Sequence, residues 1–477
     1  MFCLYSPMIL NSSKKTTLKI DSNADGALCS TSVKKNQKYH YYWFILGLGT
    51  QLQIISSLSI SEILILCCAP FILKAELPNM RKHGVLTFFY MAVLLLFGCI
   101  VSLIVNHAAT YQVIRGLSVT GIIVCSVIVS YRMLRIDPDG LKWYFIGTML
   151  STFLCTFIFK RAVEVATVRS EDISAIVSGP LFWIERLKAL FLTPVTAFYL
   201  QIPLAYSAGI SILLAVFSIL TSASGRSAAL GSLGAAAIVI IGRKSQKDIQ
   251  SMGRHFILLF CIAVLGIFVA KSAYQWAAVN NYLGEKSRVK YEHQTSGGTS
   301  IVQLLIGGRI SAFVGMLAIA DSPIWGKGYW ALDTELYYEK FLSMYGNPMD
   351  YEEYIKRKSY FAEKGITIRE SKIIACHSYI TSFWLWFGFP GLLFWIYVVY
   401  IVFRYLKFDA YAVPQWFFWL AAGVPSFLWA LCFSPFSSRI GLPLWVVGML
   451  MSRAVRQGIY CLPDSMLIEI ENSERMV

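Results

Sequence analysis

The chain has 477 residues, of which 56% are hydrophobic and 14% are charged, and its formal net charge is +15. A water-soluble domain of this size needs far more charge on its surface, so the composition excludes an ordinary soluble protein. Because the basic residues cluster between long apolar runs, the charge indicates membrane topology and attraction to membrane lipids, and no nucleic acid is needed to explain it.

In chain order, a polar and basic segment comes first and about twelve apolar spans follow. The spans lie near residues 43–57, 59–74, 85–105, 110–131, 141–160, 190–206, 208–222, 226–242, 255–274, 378–403, 414–433 and 437–453. Apolar runs of about 17–25 residues can cross about 30 Å of hydrocarbon as helices, and the first two runs are short for this. The predicted fold class is all-α: a polytopic membrane protein of about twelve transmembrane helices with one large periplasmic loop containing short helices.

The same pattern divides the chain into five parts. We expect a disordered cytoplasmic tail (1–40), transmembrane helices 1–9 (41–274), a large periplasmic loop (275–377), transmembrane helices 10–12 (378–455) and a cytoplasmic C-terminal tail (456–477). A second outer loop is expected near 161–187.

The basic residues predict which connections face the cytoplasm. The connections predicted to lie inside carry Lys74, Arg81, Lys82, Arg132, Arg135, Lys142, Arg243, Lys244, Lys247, Arg254, Arg404, Lys407, Arg453 and Arg456. The connections near 57–59, 106–109 and 434–437 carry no Lys or Arg. Since cytoplasmic loops are enriched in these residues, both termini are predicted to be cytoplasmic.

Two arginines are candidate ligands for an anionic group at the outer face. Arg226 follows Gly225 in a turn between two spans, and Arg309 follows Gly308 at the start of an apolar stretch. An arginine near hydrocarbon is costly, and its rigid fork of donors suits phosphate. Two of them would suit a lipid diphosphate, although each could instead reach to the interface or cap a helix. Arg439 is a weaker candidate of the same kind.

His377 is the third main candidate, because it joins the end of the long loop to the next apolar span. A neutral imidazole at that place can act as a general base near neutral pH. The alternative is an interfacial histidine that only forms hydrogen bonds. The aromatic run at 383–389 is expected to serve packing and lipid anchoring. The loop is expected to have a solvated charged face formed by Asp333, Glu335, Glu339, Glu352 and Glu353.

Three motifs resemble those of the O-antigen ligase and polymerase family. The first is His377-Ser378 followed by nine residues, Gly388, two residues and Gly391; the second is Ser224-Gly225-Arg226; the third is Gly308-Arg309 with Pro323-Ile324-Trp325-Gly326-Lys327-Gly328 after it. They occur in the family's order, and the resemblance covers roughly 190–405. The family often has Asn where this chain has Ser378.

This resemblance implies a metal-independent glycosyltransferase without a cofactor, at the periplasmic face of the bacterial inner membrane. Its donor would be an undecaprenyl-diphosphate-linked glycan, and its acceptor a sugar hydroxyl of lipid A-core or of another glycan. His377 would act as the base, and Arg226 and Arg309 would bind the diphosphate and stabilise its developing charge, with Ser378 and Gly308 also contacting substrate. Direct displacement would invert the anomeric configuration.

Two other functions stay open at this point. A polymerase of lipid-linked repeat units would share every motif. A transporter or flippase of lipid-linked sugars would also be polytopic and contain intramembrane arginines. A transport path should place polar residues at mid-membrane depth or on both sides, whereas all three candidates here are predicted on one face.

Overall fold

The described part of the chain is a helical bundle with one short pair of strands. The computed structural model describes residues 35–50, 53–55, 58–138, 140–154, 310–345, 373–374, 376, 378–410, 412–433, 436 and 439–460, and scattered single residues and short runs between 209 and 282. The other residues, which include most of the predicted helices from 155 to 274, lie outside it.

The helices of these ranges are numbered here in chain order. They are α1 (Lys35–Gly49), α2 (Ile60–Lys82), α3 (Leu86–Val105), α4 (Thr110–Ile136), α5 (Gly140–Phe153), α6 (Ile310–Asp321), α7 (Tyr337–Tyr345), α8 (Tyr379–Phe387), α9 (Phe389–Arg404), α10 (Pro414–Phe433) and α11 (Gly441–Arg456). A π-helical turn, Tyr405–Asp409, continues α9. The strands β1 (Gln53–Ile55) and β2 (Leu58–Ser59) pair in antiparallel orientation.

Within the described residues, three helical segments are long and apolar enough to cross a membrane. They are α3, α4 and the segment Phe389–Asp409, which consists of α9 and the π-helical turn. The predicted spans 85–105 and 110–131 coincide with the first two. Helix α2 is equally long, but it carries Glu62, Lys74 and Glu76 within its first five turns. A total of twelve spans therefore stays a prediction.

Two predicted spans differ from the helices in the structure. The first span, predicted at 43–57, corresponds to a helix that begins at Lys35 and ends at Gly49, with the paired strands after it. The span predicted at 378–403 is two helices, α8 and α9, that meet at Gly388. The backbone of Gly388 has φ 66° and ψ −151°, which no helix contains. The tail predicted at 1–40 is helical from Lys35, and residues 1–34 lie outside the description.

Basic residues of four helices gather at one end of the described bundle, here called the basic end. The carboxylate of Glu76 on α2, fully buried, binds Arg132 and Arg135 of α4. The hydroxyl of Tyr460, just beyond α11, donates to the carbonyl of Arg135 at 2.9 Å. At the ends of α9 and α11, the carboxylate of Asp409 accepts a hydrogen bond from Arg456 at 2.5 Å. Connections that the sequence predicts on one side therefore lie together.

The opposite end of the bundle contains the start of α2, the turn between α3 and α4, and the segment from 322 to 336. Glu62, in the first turn of α2, pairs with Arg439 before α11 at 3.2 Å. The side-chain amide of Asn106, after α3, donates to the carbonyl of Gly326 at 3.1 Å. Helices α2 and α4 run from this end to the basic end, and α3 runs back, so the three helices alternate in direction.

Helix α8 packs within a cluster of aromatic rings. Phe383 is fully buried, and its ring lies 4.8 Å from Phe436, 5.1 Å from Trp395 and 5.2 Å from Phe387, each in an edge-to-face arrangement. Such pairs add to the stabilisation that apolar burial provides. The prediction that these aromatics serve packing is confirmed for Phe383 and Phe387, whereas Phe389 stays 48% exposed.

A buried histidine at the basic end makes stability depend on pH. The Nδ1 atom of His83 lies 2.7 Å from the Tyr131 hydroxyl. Burial, with smaller effects of the Lys82 and Arg135 charges, lowers the pKa of His83 from 6.5 to about 4. Between these values the unfolded chain binds a proton that the folded chain does not, so stability falls as the pH falls.

We expect His83→Gln to flatten this dependence. The wild type should lose about 2 kcal/mol of unfolding free energy between about pH 7.5 and about pH 5 from this group alone, and the variant should lose correspondingly less. Thermal unfolding of the detergent-solubilised protein across that range measures the effect. The exposed His40 provides the control, since His40→Gln should keep the wild-type slope. Equal slopes for His83→Gln and the wild type would contradict the assignment.

Candidate functional site

The structure describes one of the five expected site residues and the helices that follow two of the three motifs. Ser378 is described, whereas His377, Arg309, Arg226 and Gly308 lie outside the described residues. Their roles therefore stay predictions. The helices α6 and α8 begin directly after Arg309 and Ser378, so the geometry of the two motifs can be followed from these helices onward.

Ser378 begins α8 as its N-cap. Its backbone is extended, and its hydroxyl accepts a hydrogen bond from the amide of Thr381 at 3.2 Å. The same hydroxyl donates to the carbonyl of Leu431 on α10 at 2.8 Å, and the residue is 3% exposed. The proton of the Ser378 hydroxyl is therefore donated to a carbonyl of the protein itself. Substrate binding by Ser378 stays a prediction, but helix capping and attachment to α10 explain the residue type.

The segment that leads into α8 packs directly on α6. A Cβ atom on Gly315 of α6 would collide with the sulfur of Cys376, so only a glycine fits there. The carbonyl of Cys376 accepts from the hydroxyl of Ser382 at 2.9 Å, and the amide of Ile374 donates to the carbonyl of Ala331 at 2.9 Å. Burial raises the pKa of the Cys376 thiol to about 12, so the sulfur stays protonated and is no nucleophile.

The turn after α6 forms backbone hydrogen bonds with the junction of α8 and α9. The amide of Phe389 donates to the carbonyl of Ile324 at 2.9 Å, and the amide of Lys327 donates to the carbonyl of Leu385 at 2.6 Å. The indole of Trp384 donates to the carbonyl of Pro323 at 2.8 Å. We call this contact the turn–junction contact. It joins the Pro323–Gly328 motif to Gly388 of the histidine motif.

Glycine is required on both sides of the turn–junction contact. Gly388 has a backbone conformation that is essentially restricted to glycine, and a Cβ there would collide with the carbonyl of Ile324. Gly326 has φ +71°, and its Cβ would stand 2.6 Å from the carbonyl oxygen of Leu385. Two of the glycines that carry the family resemblance, Gly326 and Gly388, are therefore explained by one close backbone approach.

The turn between α3 and α4, with the first turn of α4, also contacts the segment from 322 to 336. Besides the hydrogen bond from Asn106 to Gly326, the side-chain amide of Gln112 donates to the carbonyl of Trp330 at 2.9 Å. The guanidinium of Arg115 lies 4.1 Å from the centre of the Trp330 ring, within cation–π distance. Trp330 has φ 56°, an uncommon conformation for a residue with a side chain. These contacts with the end of α3 and the start of α4 thus fix the position of the segment.

A polar cluster lies on the other side of this segment. The hydroxyl of Tyr337 is 2.5 Å from a carboxylate oxygen of Asp321 and 2.5 Å from one of Glu335. Lys327 pairs with Glu335 at 2.8 Å. Burial and the two carboxylates raise the pKa of Tyr337, and hydrogen bonds from Lys327 and Tyr337 lower the pKa of Glu335. At neutral pH the phenol of Tyr337 is therefore neutral, and the carboxylate of Glu335 is ionised beside Lys327.

One acidic residue of this region differs from the prediction. Asp333 was expected on a solvated loop face, but it is 6% exposed. Its carboxylate accepts hydrogen bonds from the amides of Tyr337 at 2.7 Å and Tyr338 at 3.0 Å, at the start of α7. A carboxylate is stabilised at a helix N-terminus by these donors and by the helix dipole. The prediction of a solvated face is wrong for Asp333.

Arg115 is a candidate that the sequence analysis missed. It lies about one and a half turns inside α4, one of the segments able to span a membrane. Among the described residues no carboxylate lies within ion-pair distance of it, unlike Arg439, which pairs with Glu62. A charged residue inside an apolar helix is itself the signal that could have identified it.

No cluster of three or more potential metal ligands occurs in the described ranges.

Comparison with known proteins gives no match: no protein-family model, no curated protein and no solved structure is similar to this chain.

Replacing Gly388 tests the turn–junction contact. We expect Gly388→Ala to destabilise the protein by about 3 kcal/mol or more, because the added Cβ meets the Ile324 carbonyl and the backbone becomes strained. Gly121 is the matched control, since a Cβ there meets nothing within 4 Å and Ala favours the helix. Thermal unfolding in detergent should separate the two variants clearly. Similar unfolding temperatures for both would argue against a tight contact at Gly388.

Replacing Ser378 separates capping from substrate binding. Ser378→Ala should cost about 1–2 kcal/mol of stability, because α8 loses its cap and the Leu431 carbonyl loses a donor. Ser378→Asn should retain more of that stability, because Asn also caps helices well. If the residue acts only through structure, the folded fraction of Ser378→Ala keeps its KM in a transfer assay. A raised KM in folded protein would instead support the substrate-binding prediction.

Proposed function

We propose that the chain is an O-antigen ligase-like glycosyltransferase of the bacterial inner membrane. It would move a glycan from undecaprenyl diphosphate to a sugar hydroxyl of lipid A-core at the periplasmic face. The turn–junction contact carries this proposal. Two of the motifs that resemble the family's are far apart in sequence, and the contact joins them through backbone atoms. Motifs that resembled the family's by chance would have no reason to meet in the fold.

The neighbourhood of the motifs supports the same proposal. Helix α6 follows Arg309, helix α8 follows His377-Ser378, and the two helices run in the same direction with Gly315 against Cys376. The Pro323–Gly328 turn and Gly388, the described parts of two of the motifs, lie at the end of the bundle opposite the basic end. If the basic end faces the cytoplasm, as basic loops generally do, the other end faces the periplasm.

The chemistry needs few groups, because the donor is already activated. The acceptor oxygen attacks the anomeric carbon, the bond from that carbon to the diphosphate oxygen breaks, and undecaprenyl diphosphate leaves with the electron pair. In this proposal Arg226 and Arg309 stabilise the charge that develops on the diphosphate. The imidazole of His377 takes the proton of the acceptor hydroxyl. Attack from the side opposite the leaving group inverts the anomeric configuration.

A reconstituted transfer assay tests the function. Purified protein in liposomes receives undecaprenyl-diphosphate-linked glycan, with and without lipid A-core, and without added metal. We expect glycan on lipid A-core. Longer glycans that remain on the lipid diphosphate would show a polymerase instead. Folded protein without product in either arm would contradict transfer chemistry and favour a transporter of lipid-linked sugars.

Substitutions at the motif residues test the mechanism. His377→Ala and Arg309→Ala should each reduce transfer by at least about a hundredfold, as expected for a lost base and a lost electrostatic stabiliser. The matched controls are His40→Ala and Arg81→Ala, which change the same residue types at exposed positions of the basic end and should keep wild-type rates. Equal amounts of folded protein are verified by size-exclusion chromatography. Near-wild-type activity of His377→Ala would rule out the base assignment.

A further inference from the structure

A buried carboxylate organises several arginines where α9 and α11 end. Asp409, at the end of the π-helical turn, is 2% exposed. One of its oxygens accepts from Nε of Arg456 at 2.5 Å, and the other lies 4.0 Å from Nε of Arg404. π-helical turns are rare and occur frequently at functional sites. This turn brings Asp409 into reach of α11.

The positive charge at this place exceeds what Asp409 can neutralise. Arg453 precedes Arg456 by three residues, so both lie on one face of α11, and Arg453 also interacts electrostatically with Asp409. With Arg404 these make three guanidinium groups around one carboxylate. The Nε atoms of Arg404 and Arg453 are buried and have no hydrogen-bond acceptor among the described residues. Buried donors without an acceptor are costly, so an oxygen-rich anion would stabilise them.

An exposed apolar stripe leads along α9 to these arginines. Ile396, Tyr400 and Phe403 are 55%, 52% and 55% exposed, and their spacing of four and three residues places them on one face of α9. Nη1 of Arg404 donates to the hydroxyl of Tyr400 at 2.9 Å, which holds the guanidinium at the end of the stripe. Phe408, 46% exposed, continues the apolar surface. A ligand with an apolar chain and an anionic head fits this surface along its whole length.

We propose that Arg404, Arg453 and Arg456 form a binding site for the phosphate of an anionic phospholipid whose acyl chain lies along Ile396, Tyr400 and Phe403. The phosphate oxygens accept from the guanidinium donors that Asp409 leaves unused. The apolar stripe distinguishes this ligand from free phosphate, which would gain nothing from it. The site lies at the basic end, away from the turn–junction contact, and does not depend on the proposed transferase function.

Lipid-dependent stabilisation of the full-length protein tests the site. Delipidated protein in a neutral detergent is titrated with phosphatidylglycerol, with zwitterionic phosphatidylcholine or with inorganic phosphate, and the thermal midpoint is measured. We expect a saturable rise with phosphatidylglycerol alone. Arg453→Gln should weaken its apparent affinity at least about tenfold, and Arg453→Lys by less. Arg81→Gln, at an exposed position of the same end, is the matched control and should bind as the wild type does.

Each other outcome overturns the proposal. Equal weakening by Arg453→Gln and Arg81→Gln would show general surface charge and no built site. An equal rise with inorganic phosphate, or with phosphatidylcholine, would exclude an anionic lipid as the ligand. Phe403→Ala gives an independent reading if Arg453→Gln does not fold, since it should lower the affinity for phosphatidylglycerol. An unchanged affinity for phosphatidylglycerol in Phe403→Ala would show that the acyl chain does not lie along this face of α9.

Discussion

The arrangement of the described motifs depends on the turn–junction contact. The pair Pro323 and Trp384 is 61 residues apart in sequence, yet the chain meets there at hydrogen-bond distance. Backbones approach so closely only where no Cβ intervenes, which is the condition that Gly326 and Gly388 fulfil. The contact fixes α6 against α8 and sets the angle at which α9 leaves α8. The direction of α8 relative to α6 follows from this constraint.

The two ends of the bundle are stabilised by different physical means. At the basic end, the buried carboxylate of Glu76 binds two arginines of α4, and that of Asp409 binds Arg456 of α11 and lies 4.0 Å from Arg404 of its own segment. A buried carboxylate requires such partners, because an unpaired charge is costly to bury. At the opposite end, besides the ion pair of Glu62 with Arg439, the side-chain amides of Asn106 and Gln112 donate to backbone carbonyls and fix the position of the segment from 322 to 336. The fixed backbone positions at the opposite end are suited to a reaction site. The guanidinium groups at the basic end that have no carboxylate partner among the described residues are suited to binding the phosphates of a membrane surface.

The sequence predicted features that depend on apolar length and charge, and missed features that depend on tertiary contacts. Helices α3 and α4 begin within one residue of their predicted starts, because long apolar runs define them. The Pro390-Gly391 pair predicts a kink in the helix after the histidine motif, but the chain breaks into two helices at Gly388, because the partner of that break is a distant turn. The burial of Asp333 was missed for a similar reason, since its partners are backbone amides that no sequence pattern reveals. For His377, Arg309 and Arg226 the sequence remains the basis of the assignment.

The geometry of Ser378 also explains how this chain departs from the family that it resembles. That family often has Asn after the motif histidine, and Asn and Ser are both among the strongest N-cap residues. In this structure the position is the N-cap of α8, and its side chain also donates to the carbonyl of Leu431. Asn offers an acceptor for the cap and a donor for a carbonyl, so either residue can fill both requirements. The exchange therefore preserves the way in which α8 begins, and the residue before it, the proposed base, would be held by a capped and anchored helix in either case.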